Sequence, residues 1–254
     1  MRLREALEQS LNAASHSIGE QVGLTRVIEQ ARASGIESRL QPVPATLLGA
    51  SEVSVLEMTA AYGTLARGGT WLKPYAIRKI EDGQGRVLFE ESRSAQRAAS
   101  PQAAFLVTSI LQGTIERGTA ASAYRLGLTR TAAGKTGTSN DLRDAWFVGY
   151  TPDLIAGVWV GVDSGASLQL TGAQAALPIW TQFIERASVG RPSRNFEPPP
   201  GIVTARIDPS TGLRLTPECL GGVEEIFIQG TEPKETCSQG KFTLWQWARR
   251  LFPR

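Results

Sequence analysis

The sequence of 254 residues has little histidine and cysteine and no long apolar run. Its one histidine, His16, and its two cysteines, Cys219 and Cys237, are too few for a four-ligand zinc site of the usual kind. The longest apolar run, at 154–162, is far shorter than the roughly 20 residues that a membrane-spanning helix needs. The net charge of +3 is too small to indicate a nucleic-acid partner. We therefore expect a globular protein without a metal or another cofactor.

Apolar periodicity and turn residues predict several helices, then an antiparallel sheet, then one more helix. In chain order, the predicted elements are helices at 1–34 (with a break near 10–17) and 53–67, a hairpin at 75–91, a helix opened by Ser100 and Pro101, strands at 133–140, 144–150 and 154–162, and a helix at about 177–188. The last helix has Pro178 in its first turn and is expected to bury Ile179, Phe183 and Ala187. This order predicts an α+β fold with helices on both faces of the sheet.

The chain divides near the proline-rich segment 198–200. We assign residues 1–195 to the main domain and residues 196–254 to a turn-rich tail that ends in a basic, tryptophan-bearing segment. The two cysteines lie in this tail, eighteen residues apart. Composition alone leaves two possibilities open for them, a disulfide in an oxidising compartment or two ordinary thiols.

Two short motifs carry the side chains most suited to chemistry. Residues 135–138 read Lys-Thr-Gly-Thr on a predicted edge strand, where an ammonium and hydroxyls can hold a carboxylate and the free backbone edge can pair with an extended peptide. The other interpretation is a strand with a surface lysine. Residues 10–12 read Ser-Leu-Asn before a predicted helix, where the serine could equally be a helix cap.

The order of these motifs resembles that of the penicillin-recognising serine acyltransferases, in which Ser-x-x-Lys, Ser-x-Asn and Lys-Thr-Gly follow one another. Here the second and third motifs are 125 residues apart. The surrounding segments 47–58, 61–69, 116–120 and 135–152 are similar to those of class A, bifunctional penicillin-binding proteins. Segment 170–176 resembles the branch typified by penicillin-binding protein 1B.

This resemblance implies a penicillin-binding transpeptidase (β-lactamase-like) fold, truncated at its N-terminus, and a role for each matching residue. Ser10 would relay a proton, Asn12 would bind the substrate amide, and Lys135 would act beside Ser10. Substrate binding would fall to residues of the strand motif, namely Thr136, Gly137 and Thr138. The tail resemblance favours a disulfide between Cys219 and Cys237, with Cα atoms within about 7 Å.

The implied substrates are peptidoglycan stem peptides ending in D-Ala-D-Ala, with β-lactams as inhibitors and no nucleic acid. The implied location is extracytoplasmic, at the outer face of the cytoplasmic membrane. Residues 1–8 start an amphipathic helix without an export signal. Because the family's upstream segments are missing here, the resemblance implies a longer parent protein with an upstream glycosyltransferase domain and membrane anchor.

The nucleophile motif is not found in its expected place, since only nine residues precede Ser10. The one Ser-x-x-Lys, Ser238 to Lys241, follows Lys-Thr-Gly and is interpreted as a coincidence. We therefore expect no covalent penicillin adduct on this chain. We also expect an open sheet edge. Four apolar side chains should be incompletely buried because the segments they would pack against are absent, namely Val107, Ile110, Trp146 and Phe147.

Two other function classes were weighed against the transpeptidase. A non-catalytic peptidoglycan-recognition module would fit the absent nucleophile but would leave both motifs without a use. A β-lactamase or D,D-carboxypeptidase of the same superfamily would share the motifs, but the tail with its cysteine pair argues against it.

Overall fold

The computed structural model describes residues 2–92, 94–217, 219 and 221–237. Residues 3–199 form one compact unit, and Arg2 with the described residues from Pro200 onward forms a second. The two units therefore divide a few residues after the predicted division at 195. The coincidental Ser238 motif and the basic end at 242–254 lie outside the described residues.

Six α-helices and seven β-strands build the larger unit over the described residues. The helices are α1 Leu3–Glu8, α2 Asn12–Val22, α3 Leu24–Ala33, α4 Val55–Ala66, α5 Pro101–Glu116 and α6 Gly172–Ala187. The strands are β1 Thr70–Leu72, β2 Lys79–Glu81, β3 Val87–Glu90, β4 Ala95–Arg97, β5 Ala133–Thr138, β6 Asp144–Tyr150 and β7 Ile155–Gly161. Strand β1 pairs with β4 and β2 with β3, all antiparallel.

The central antiparallel sheet has the strand order β5-β6-β7. On one face, Trp180 of α6 packs edge-on against Phe147 of β6, with ring centroids 4.9 Å apart. On the other face, the Tyr150 hydroxyl lies 2.8 Å from the Thr108 hydroxyl of α5, and Gly157 of β7 packs against Thr59 of α4. Helices therefore cover both faces, which confirms the predicted α+β arrangement.

The start of α5 follows the predicted signal. Ser100 is its N-cap and accepts a hydrogen bond from the Ala103 N–H at 3.1 Å, and Pro101 occupies the first helical position. The predicted break in the first helical segment is also present, but it is narrower than expected. It covers residues 9–11, between α1 and α2.

The last helix differs from its prediction. It begins at Gly172 rather than 177, because Thr171 and Gln174 form a capping box that places Pro178 in the helix interior. The earlier start accompanies a different buried face, made of Leu177, Trp180 and Ile184. The prediction that Ile179, Phe183 and Ala187 are buried was wrong, since all three are exposed.

The expected loss of burial is found for three of the four predicted side chains. Val107, Ile110 and Trp146 are only partly buried. Phe147 is fully buried, so that part of the prediction was wrong, because Trp180 covers the ring. Among the described residues, the outer edges of β5 and β7 pair with no further strand. No described helix combines the length and the apolar character that crossing a bilayer requires.

The smaller unit is a β-hairpin with a covalent link. Strand β8, Ile202–Ile207, pairs with β9, Val223–Ile228, in an antiparallel register. Cys219 and Cys237 form a disulfide with Cα atoms 6.7 Å apart. The predicted pairing and its Cα separation are confirmed.

We predict that replacing both cysteines, Cys219→Ser with Cys237→Ser, lowers the stability of the smaller unit by about 3 kcal/mol. The reason is that the bridge restricts the unfolded chain over a loop of this length. Urea unfolding followed by hydrogen exchange in β8 and β9 measures the change. Unaltered protection of these strands in the double variant would contradict the prediction.

The exposed apolar side chains of α6 give a second prediction, for the isolated chain. Ile179 and Phe183 are 51% and 52% exposed and lie one helical turn apart. We expect the chain to bind a hydrophobic dye and to have low solubility, because such a patch favours association. Ile179→Lys with Phe183→Lys should lower dye binding while changing the free energy of unfolding by no more than about 0.5 kcal/mol.

The matched control is Gln182→Lys, which adds a charge at an exposed polar position of the same helix. It should leave dye binding unchanged. A monomeric wild-type chain with one sharp unfolding transition and no dye binding would refute the expectation.

Candidate active site

The centre of the site is a hydrogen bond between two residues far apart in sequence. Lys135 Nζ on β5 donates to Ser10 Oγ at 2.8 Å and to the Thr136 carbonyl oxygen at 3.0 Å. Ser10 lies in the turn between α1 and α2, 125 residues earlier. The prediction that these two side chains lie close together is confirmed.

The Lys135 amine is unusually ready to give up its proton. Burial lowers the pKa of Lys135 from 10.5 to about 8, because the charged form loses its hydration. At pH 7 about a tenth of the molecules then carry a neutral amine. A neutral amine can accept the hydroxyl proton of Ser10, so the pair can pass a proton in either direction.

Backbone strain presents the Ser10 hydroxyl at the surface of its turn. Ser10 has φ 55°, in the left-handed region that side chains other than glycine seldom adopt. The turn is closed by the Leu11 N–H, which donates to the Ala6 carbonyl at 2.8 Å. The N-cap of α2 is Leu11 rather than Ser10, so Ser10 does not have the capping role considered above. The Ser10 N–H also donates to the Leu7 carbonyl at 3.1 Å, so Ser10 is the left-handed residue that ends α1.

The next three residues of β5 line the open edge of the sheet. The Ser139 N–H donates to the Asp144 carbonyl on β6, and hydrogen-bonded pairs alternate along an antiparallel ladder. The N–H groups of Thr136 and Thr138 therefore point away from β6, toward the outer edge. This edge can pair with an extended peptide.

Both threonine hydroxyls are held by partners outside the strand. Thr138 Oγ1 accepts from the Gly172 N–H at 3.0 Å, which leaves its own proton free to be donated. Thr136 Oγ1 lies 2.8 Å from Thr119 Oγ1. Thr119 and Gly172 were not predicted as site residues, although both lie in segments that resemble the family.

Glycine is required at two places beside these hydroxyls. A side chain at Gly172 would overlap the carbonyl oxygens of Trp146 and Gly137, so the start of α6 could not approach Thr138. A Cβ at Gly137 would lie 3.1 Å from Trp146 Cβ, closer than ordinary packing allows. Gly137 thus lets β5 and Trp146 pack closely, and its predicted role in substrate binding stays a prediction.

Asn12 is the first residue of α2 and is exposed. It lies two residues after Ser10, and its predicted contact with a substrate amide stays a prediction. Across the described residues, no group of three or more His, Cys, Asp or Glu side chains is arranged to hold a metal ion.

A serine with a positive φ, a half-buried lysine and two threonine hydroxyls held by outside partners thus lie together at an open strand edge. Residues 1–177 match the family model of the penicillin-binding protein transpeptidase domain. Residues 198–240 match the model of the C-terminal domain of penicillin-binding protein 1A. The chain therefore belongs to the penicillin-binding protein transpeptidase family.

Curated relatives include class A members of both principal types. Penicillin-binding protein 1A of Aquifex aeolicus is 38% identical over 238 residues, which is 93% of this chain and 32% of that protein. Penicillin-binding protein 1B of Haemophilus influenzae is 38% identical over 188 residues, which is 74% of this chain and 24% of that protein. The chain thus spans about a third or less of the length of these relatives.

Solved structures agree with this family. The crystal structure of penicillin-binding protein 1A from H. influenzae has a TM-score of 0.86 at 30% identity, over 94% of this chain and 41% of that one. The structure of PonA1 from Mycobacterium tuberculosis in complex with penicillin V has a TM-score of 0.67 at 27% identity, over 77% of this chain and 58% of that one. Both comparisons support the fold described above.

The lowered pKa of Lys135 predicts a pH dependence of stability. The unfolded lysine keeps its proton to about pH 10.5, whereas the folded one loses it near pH 8. Because the unfolded state then binds more protons, this group adds stability as the pH rises from 8 to 10.5. Below pH 8 the folded protein bears the full free-energy cost of burying the charged amine. In Lys135→Met this gain should be absent, so the unfolding free energy of the wild type should rise relative to that of the variant over that range.

Urea titrations of both proteins at several pH values measure the difference directly. Subtracting the variant removes the contribution of tyrosines that titrate in the same range. A difference that is independent of pH would show that the Lys135 amine is solvated as in the unfolded chain.

Proposed function

We propose that the chain is the C-terminal part of a serine-type D-Ala-D-Ala transpeptidase domain of a bifunctional peptidoglycan synthase. The observation that carries this proposal is the hydrogen bond from Lys135 Nζ to Ser10 Oγ beside the open edge of β5. It joins the second and third family motifs in one place. The nucleophile motif would come from sequence outside residues 1–254.

The reaction divides acyl transfer into two easier steps. The nucleophilic serine passes its hydroxyl proton to the lysine of its own Ser-x-x-Lys motif and attacks the carbonyl of the D-Ala-D-Ala bond. The bond to the terminal D-Ala then breaks with release of its amine. Ser10 hands its proton to that amine and is reprotonated through Lys135. The acyl group then passes to an amine of a second stem peptide, with proton transfer in the reverse direction.

The substrate is held by charge and by the strand edge. Its terminal carboxylate lies among the Lys135 ammonium and the hydroxyls of Thr136 and Thr138. The Thr138 hydroxyl suits this role because its oxygen already accepts from the Gly172 N–H and its proton is free. The Thr138 N–H, aimed at the outer edge, supplies one donor to the oxyanion. A β-lactam offers a carboxylate and a carbonyl to the same groups.

The location follows from the substrate. Peptidoglycan lies outside the cytoplasmic membrane, where the disulfide between Cys219 and Cys237 is stable. The proposal includes a glycosyltransferase domain and a membrane anchor in the part of the complete gene product outside residues 1–254. Bifunctional synthases have both. The match of residues 198–240 to a penicillin-binding protein domain supports a synthase over a β-lactamase.

Labelled penicillin tests the proposal. The complete gene product containing this chain should form one acyl adduct per molecule, whereas residues 1–254 alone should form none. Thr138→Val in the complete product should slow acylation by about tenfold to a hundredfold, because a hydrogen bond to a charged group contributes roughly 1.5–3 kcal/mol.

Thr131→Val is the matched control, since the Thr131 hydroxyl donates to the Asn195 side chain instead of facing the edge of β5. It should acylate at the wild-type rate. An adduct on residues 1–254 alone, mapped by peptide mass, would mean that a serine within the chain is the nucleophile, with Ser238 tested first. A complete gene product without an adduct would favour a non-catalytic recognition module.

A further inference from the structure

An ion pair between the buried carboxylate of Glu8 and the exposed guanidinium of Arg117 lies next to the site but takes no part in the chemistry described above. The Glu8 carboxylate is 3% exposed and accepts two hydrogen bonds from Arg117, from Nε at 3.0 Å and from Nη2 at 2.6 Å. This two-point geometry fixes both the position and the orientation of the carboxylate. Arg4 adds a second positive group, with Nη1 3.7 Å from Glu8 Oε1.

Hydrogen bonds to the backbone also connect the end of α1 with the segment that follows α5. The Thr119 N–H donates to the Glu8 carbonyl oxygen at 3.1 Å, and Gln9 Nε2 donates to the Arg117 carbonyl oxygen at 3.3 Å. A side chain at Gly118 would overlap the Glu8 backbone. The end of α1 therefore has one way to lie against the segment that follows α5.

A side chain at a second glycine would reach the ion pair itself. An added Cβ at Gly113 of α5 would overlap the Glu8 carboxylate. The carboxylate therefore occupies space that α5 leaves open at that residue. Displacing it would leave both a void and an unpaired buried charge.

Each residue of the ion pair precedes a residue of the site by two positions in the sequence. Ser10 follows Glu8 by two positions, and its hydroxyl accepts from Lys135 Nζ. Thr119 follows Arg117 by two positions, and its hydroxyl lies 2.8 Å from that of Thr136, the neighbour of Lys135. The ion pair is therefore connected to Lys135 from both sides, through Ser10 and through Thr119.

We propose that Glu8 and Arg117 are positioning residues that hold the Ser10 hydroxyl on the Lys135 amine. They act through the strained turn at Ser10, which has φ 55° and would relax if the end of α1 moved. The consequence for catalysis rests on the proposed function, because misplacing a proton-transfer group by about 1 Å can slow a reaction a hundredfold. The placement of the hydroxyl does not rest on it.

The test follows the titration of Lys135 by NMR in the complete gene product, with lysines labelled by ¹³C methylation. The signal is assigned by its loss in Lys135→Arg. Ser10→Ala removes the acceptor of the ammonium and should lower the midpoint by roughly half a unit or more. Arg117→Lys keeps the charge but loses the two-point contact, and it should lower the midpoint in the same way.

The decisive comparison is between single and double variants. If Arg117 acts through Ser10, the double variant Ser10→Ala with Arg117→Lys should match Ser10→Ala alone. Additive shifts, or an Arg117→Lys midpoint equal to that of the wild type, would overturn the proposal. Glu8→Gln should resemble Arg117→Lys, and its urea midpoint shows whether it still folds.

Glu116→Gln is the matched control. The Glu116 carboxylate also pairs with Arg117, at 2.8 Å, but it is 48% exposed and does not lead to Ser10. It should leave the Lys135 midpoint unchanged, and a shift equal to that of Arg117→Lys would contradict the proposal. Because the readout is a titration, a protein that failed to bind penicillin would count against the proposed function alone.

Discussion

The hydrogen bond between Lys135 and Ser10 can form only if several distant parts of the chain meet. Lys135 needs cover over its own face of the sheet, since burial is what lowers its pKa to about 8. Ser10 needs the end of α1 to lie against α5, where the Glu8–Arg117 pair and the Thr119 N–H hold it. A single contact thus connects the packing of the helices to the protonation of the site.

The outer edge of strand β5 forms the other half of the site. Strand β5 has one side in the β6 ladder and, among the described residues, no strand on its other side. Under the proposed function, this backbone edge would pair with the peptide and the side chains of the strand would hold its carboxylate. The N-terminus of α6 approaches this edge closely enough to occupy the Thr138 oxygen, which is why residue 172 is a glycine. The Thr138 hydroxyl is therefore oriented by a backbone group outside its own strand.

Local signals predicted much of this arrangement. Ser100 and Pro101 identified the start of α5, and the motif pair identified Ser10 and Lys135. The start of α6 was predicted too late because Pro178 was taken to mark the first turn. The capping box at Thr171 sets the start of the helix instead. The Glu8–Arg117 pair could not be predicted, since its partners are 109 residues apart and the resemblance of segment 116–120 gives Arg117 no role. Long-range packing determines such contacts.

The central claim is that Ser10, Lys135 and the edge of β5 act on one ligand. A crystal structure of the complete gene product acylated by a penicillin tests it most directly. The account predicts that the ligand carboxylate lies within hydrogen-bond distance of the Thr136 and Thr138 hydroxyls, with Ser10 Oγ still on Lys135 Nζ. A penicillin bound covalently elsewhere, or with its carboxylate turned away from β5, would contradict the account.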